Sequence, residues 1–262
     1  MSKAAFFVLL ITSIIFLFYG IHLSIAKQNE NGALLYPLYA NDFKAIKTDV
    51  VQKIASIPKN TNINDKTKLI IHDVGFISQA PRGNWSDARL QDGCEEASSL
   101  MAFNWATKQN NLSAIKAEEK IVSISNWEKQ KIGIFKDTSV QDTADKILSD
   151  NLGFNNYEVK KDISINDIKN EIYNGNIIII PADGRKLNNP NFRPPGPLHH
   201  MLLIIGYDPG KKEFITNDPG TRLGEKYRYS EKIIDNALRD YPTGNHLKTN
   251  EIKKNIIVVK QL

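Results

Sequence analysis

The chain of 262 residues holds one cysteine, Cys94. That scarcity excludes an intrachain disulfide framework and a thiolate-rich zinc centre. Charge of one sign is nowhere concentrated. The 34 Lys and Arg are mixed along the chain with 29 Asp and Glu, leaving a net charge of +5. No basic stripe emerges, and nucleic acid is not expected as a partner. A GxxxxGK[ST] phosphate loop and internal repeats are absent as well. Yet 41% of the residues are hydrophobic, too many for a disordered chain, and the length suits one domain of roughly 200 residues with appendages.

Charged residues are also missing from residues 4–26, AAFFVLLITSIIFLFYGIHLSIA. At about 1.5 Å per residue this run reaches roughly 34 Å, enough to cross a bilayer core. It reads as a membrane anchor ahead of a cleaved signal peptide, for which Ser24-Ile25-Ala26 would offer the small-x-small cleavage site. Either reading puts the body of the protein outside the cytoplasm, tethered to the cell membrane by a single pass or secreted. The expected organisation is an anchor or signal over residues 1–27, an Asn- and Lys-rich stalk over residues 28–67, and a folded domain over residues 68–262.

Within that domain two short β-rich pieces in KLIIHDVGFIS come first, then helices. Ala97, Leu100, Met101, Asn104 and Trp105 recur at helical spacing, and further helices are expected over residues 113–130 and 139–150 and after Ser164. Strands dominate afterwards: NIIIIPA at 176–182, HHMLLIIGYD at 199–208 and EFITND at 213–218 around an Asp208-Pro209-Gly210 turn, then Tyr227–Tyr229, a helix over 230–239 and NIIVVK at 255–260. Helices first and a hairpin-connected sheet second argue for an α+β fold with segregated layers.

Cys94 stands where a thiol can be activated. Asp92 is a good N-cap and Glu95 sits in the capping-box position, so the helix is expected to begin at Gly93. The positive helix end would then lower the thiol pKa, against which Glu95 and Glu96 work if they lie near it. A nucleophilic thiol needs a base. Of the five histidines, His199 and His200 alone sit at the mouth of a strongly built strand. A hairpin at Asp208–Lys211 brings Asp218 within two residues of the position opposite His200, where a carboxylate can fix the imidazole tautomer. Gln79 and Gln91, both upstream of Cys94, offer side-chain amides for an oxyanion hole. A zinc site is the weakest option. His199-His200 lacks metal-ligand spacing, and no third ligand is evident.

The stretches VGFISQ (74–79), GCEEASSLM (93–101), HMLLIIGYD (200–208) and TNDPG (216–220), in that order, resemble the papain-like cysteine peptidases of the C-39-like family. These are relatives of the double-glycine leader peptidases of bacteriocin exporters. The resemblance implies a papain-like fold, with helices packed on an antiparallel sheet. It also implies Cys94 as nucleophile, His200 as general base, Asp218 orienting the imidazole and Gln79 completing the oxyanion hole. His200 is preferred to His199 because the family's histidine stands six residues before the glycine of Gly-Tyr-Asp, here Gly206. The implied substrate is a peptide or protein, and the chemistry calls for no cofactor or metal. The chain departs from the leader peptidases in the longer stretch between Gln79 and Cys94, which bears Trp85 and Arg89 and leaves Gln91 as a rival amide. With no ATPase motif, transport-coupled leader cleavage is not supported. Two alternatives keep the same residues: an acyl or amide transferase, and a catalytically inactive, membrane-anchored binding module.

Overall fold

In a computed structural model of the protein, residues 67–109 and 112–262 are described. The expected anchor and nearly all of the stalk lie outside the described residues, and no described helix is long and apolar enough to cross a membrane.

The element order is β1 (Ile70–Ile71), α1 (Ala88–Gln91), α2 (Cys94–Ala106), α3 (Ala114–Ile132), α4 (Val140–Asp142, running on as a π-helix over Thr143–Asn151), β2 (Tyr157–Lys160), α5 (Ile165–Tyr173), β3 (Ile177–Ala182), β4 (His200–Asp208), β5 (Glu213–Asn217), β6 (Tyr227–Ser230), α6 (Glu231–Ala237) and β7 (Ile256–Val259). After the short β1, four helices precede most of the strands, α5 and α6 fall among the strands, and the sheet is antiparallel throughout. Its order is β2-β7-β3-β4-β5-β6, with β1 added on β4. The helical layers are not fully segregated, however. Ile177, Ile179, Leu203, Ile205, Ile215, Ile257 and Val259 face a core shared with α2, α3 and α4. Their strand neighbours Ile178, Ile180, Leu202, Ile204, Phe214, Ile256 and Val258 face a second core shared with α5 and α6. A sheet covered on both faces explains why its strands read as unbroken apolar runs rather than alternating ones.

Local chemistry sets the boundaries. Ser113 accepts from the Lys116 amide at the start of α3, and Gly133 ends that helix with φ 83°. Ser164 and Asp167 form a reciprocal capping box at α5. At the β4–β5 turn the Asp208 carboxylate accepts the Gly210 and Lys211 amides at 3.1 and 3.2 Å. The ladder pairs Leu203 with Asn217 and Ile204 with Thr216, then shifts by one at a bulge before Gly206. Gly206 has to be glycine, since a Cβ there would lie 2.3 Å from the Ile70 carbonyl of β1.

One helix differs from expectation. Helix α2 begins at Cys94 with Gly93 as N-cap and no side-chain cap, because Asp92 serves as C-cap of the short preceding helix α1. Glu95 is then free to turn inward. Nearly every residue of α2 is buried, Glu95, Glu96, Ser98 and Ser99 included.

Candidate active site

A cavity of about 1110 Å³ opens where the N-terminus of α2 meets the start of β4, and Gln79, Cys94, His199 and His200 line it together. Its lip is the Pro-rich loop, residues 191–198, facing Trp85 and Ser86 on one side and Gly220–Leu223 on another. Two of the quoted stretches are tied to each other beside it. The Asn217 side chain donates to the Val74 carbonyl at 3.1 Å, and the Gln79 backbone N–H donates to the Pro219 carbonyl at 3.0 Å.

His200 Nε2 lies 2.8 Å from Asp218 Oδ1, and both side chains are buried. The hairpin register accounts for this pair, since position 218 falls at the level of Leu202, on the same strand face as His200. Burial alone would raise the Asp218 carboxyl. The facing His200 ring, the Tyr229 hydroxyl and the Gly220 N–H together outweigh it and hold the group below the usual carboxylate range. An ionised carboxylate only accepts, so the ring proton sits on Nε2 and the Nδ1 lone pair is left as the basic atom. Two residues that the sequence did not single out complete the pair's surroundings. Tyr229 donates to Asp218 Oδ2 at 2.6 Å, and Asn189 donates to Tyr229 Oη at 2.7 Å and to Asp218 Oδ2 at 3.3 Å. Phe192 sets its edge against the imidazole, centroids 5.3 Å apart.

Cys94 lies against the same strand entrance. One helical turn further on, Ser98 donates to the Met201 carbonyl at 3.2 Å. The thiol itself donates to Glu95 Oε2 at 3.0 Å, and Tyr241 donates to Glu95 Oε1 at 2.7 Å. The expected lowering of the thiol pKa by the helix end is reversed. Burial first, then the Glu95 charge, push the Cys94 thiol well above its ordinary range, and only a backbone hydrogen bond with Met201 works the other way. The resting sulfur is therefore a neutral thiol. Burial is the larger cause, and the inward turn of Glu95, released from any capping role, adds to it.

Gln79 Nε2 donates to the Gln91 carbonyl at 2.6 Å, while the Gln91 side chain is exposed. The Gln91 backbone thus anchors Gln79, and both glutamines line the cavity. His199 does not share the Asp218 pairing. It stacks on Tyr241 at 4.4 Å and faces Asp137 and His246, residues that no sequence spacing linked to it.

A buried thiol at a helix start, a carboxylate-oriented imidazole and a primary amide on one cavity are the parts of a papain-type cysteine peptidase. A model of the Peptidase_C39 like family matches residues 71–243. The chain belongs to that family, and cysteine-type peptidase is its class. Among solved structures it is similar to a candidate C39-like peptidase from Bacillus anthracis, at 14% identity and TM-score 0.46 over 74% of this chain and 98% of that one. It is also similar to xylellain, a cysteine protease from Xylella fastidiosa, at 12% identity and TM-score 0.32 over 80% of this chain and 92% of that one. A search of curated proteins finds no match.

Proposed function

We propose that the protein hydrolyses peptide bonds through Cys94, His200 and Asp218, with Gln79 and the Cys94 amide holding the oxyanion. The cavity lined jointly by Cys94, His200 and Gln79, with Asp218 behind the imidazole, is the observation that carries this reading. Substrate binding turns the Cys94 side chain from Glu95 toward the cleft, and His200 Nδ1 takes the thiol proton as sulfur attacks the carbonyl carbon. The tetrahedral oxyanion is held by the Gln79 amide and by the α2 first-turn N–H groups, which lack intrahelical partners. As the C–N bond breaks, His200 returns its proton to the departing amine and leaves a thioester on Cys94. Water, deprotonated by His200, releases the acid. Asp218 stabilises the imidazolium throughout.

Cleavage of an unfolded protein substrate, followed by mass spectrometry of the fragments, tests this. Cys94→Ala and His200→Ala should lose cleavage. Cleavage retained by Cys94→Ala would overturn the reading. An added amine acceptor in the same assay reports transfer if the amide product replaces the acid.

The location is proposed on the sequence alone: residues 4–26 tether the peptidase to the membrane and the domain works outside the cytoplasm. The full chain should then stay with membranes through alkaline extraction, and its domain should be digested by protease added to intact cells. Release by alkali with full protease resistance would contradict the tether.

A further inference from the structure

Beside the cleft, and separate from the Cys94 and His200 roles, three side chains from three places in the chain converge. Asp137 lies between α3 and α4, His199 just before β4, and His246 in the segment that leads to β7. Asp137 Oδ2 is 3.3 Å from His199 Nδ1 and 2.9 Å from His246 Nδ1. Among the described residues this is the one group of three His, Cys, Asp or Glu whose ligand atoms all lie within 4.8 Å of one another.

Proximity alone would not make a site, but the state of His199 does more. Its side chain is 2% exposed and held flat against Tyr241, ring planes 8° apart. Its Nε2 lies 3.4 Å from the Thr249 hydroxyl. Its Nδ1 is buried and makes no hydrogen bond, although it is aimed at a carboxylate oxygen. The two atoms face each other across 3.3 Å without a hydrogen bond, and a cation between them would be ligated by both. The spacing fits. Zinc bonds of about 2.0–2.1 Å to nitrogen and oxygen put tetrahedral ligand atoms roughly 3.3 Å apart.

The surroundings have the character of a metal's outer shell. Thr249 stands at the far nitrogen of His199, and Asp92 Oδ1 lies 3.8 Å from the far nitrogen of His246. Asp137 Oδ2 also accepts the backbone N–H of His246. At 3.4 Å the Thr249 hydroxyl is placed to orient His199, whereas Asp92 at 3.8 Å is beyond hydrogen-bond reach of His246. The His246 ring is half exposed, which gives an ion a way in, and all three ligands line the cavity that holds Cys94.

We propose that Asp137, His199 and His246 bind one zinc-class divalent cation, with the fourth position open to the cleft. The site pins the loops that carry Asp137 and His246 to the entrance of β4.

Isothermal titration of the full chain with Zn²⁺ alone tests this, together with Co²⁺ substitution read by visible absorption. One equivalent should bind. His246→Ala, at an exposed ring, and Asp137→Asn should each weaken binding at least tenfold with the far-UV circular dichroism unchanged. Cys94→Ser should leave the affinity intact, and the Co²⁺ spectrum should show tetrahedral d–d bands without a sulfur charge-transfer band. No binding overturns the proposal. So does binding that His246→Ala leaves intact, or binding that Cys94→Ser abolishes, which would put the ion on the thiol instead.

Discussion

Cys94 shows how far a single residue can be read. Its place at the start of a helix was legible from Gly93-Cys94 and the apolar periodicity that follows. The sign of its pKa shift was not, because that depends on how deeply the thiol is buried and then on where Glu95 points. As a cap, Glu95 would look back along the chain; without that role it is buried beneath the thiol and accepts from both Cys94 and Tyr241. The expected consequence is a slow resting thiol. Alkylation of Cys94 by iodoacetamide should climb only above pH ~8.5, the ordinary thiol value. Glu95→Gln removes a negative charge beside the sulfur and so should shift the alkylation profile to lower pH. A profile shifted upward would show that Glu95 is not the group that suppresses the thiolate.

At the scale of elements, the β4–β5 hairpin was the most informative sequence feature. Asp208-Pro209-Gly210 fixes the turn, and the bulge before Gly206 shifts the ladder by one, which puts Asp218 on the His200 face. Tyr229 and Asn189 stayed hidden, since one arrives from the neighbouring strand and the other from the Pro-rich loop, with no spacing to tie them to Asp218. Asp218→Asn should lower kcat by about 10²–10⁴, the usual worth of general acid–base assistance, with KM little changed. Gly220 tests the same element sterically. A Cβ there would come within 2.8 Å of His200 Cε1 and 3.0 Å of Phe192 Cε1. Gly220→Ala is therefore expected to displace the imidazole and cut kcat at least tenfold, with some loss of thermal stability. Unchanged kcat would mean that the ring has room to move without loss.

The whole molecule carries a buried acidic group that composition could not reveal, because Glu96 and Glu128 read as ordinary helix-surface residues until α2 is enclosed on all sides. Burial, then the Glu96 and Glu95 charges, push Glu128 up to about 11; burial likewise raises Glu96 well above its usual range. A carboxyl whose folded pKa is raised stays protonated while the unfolded chain ionises. Stability contributed by such a group is complete below about pH 4 and is lost as pH rises toward the folded value. Thermal melting should therefore fall between pH 5 and pH 9, and Glu128→Gln should flatten the decline. The double-sided sheet was equally hard to foresee: apolar runs announced buried strands but not that α5 and α6 would cover the second face.

The central claim is a covalent one, that Cys94 carries the acyl group and His200 puts it there. Intact-mass analysis after brief exposure to an activated peptide ester, quenched in acid, addresses it directly. The account predicts one added acyl mass mapping to Cys94, absent in Cys94→Ala and formed at least 100-fold more slowly in His200→Ala. An adduct on another residue, or acylation of Cys94 at full rate without His200, would contradict it.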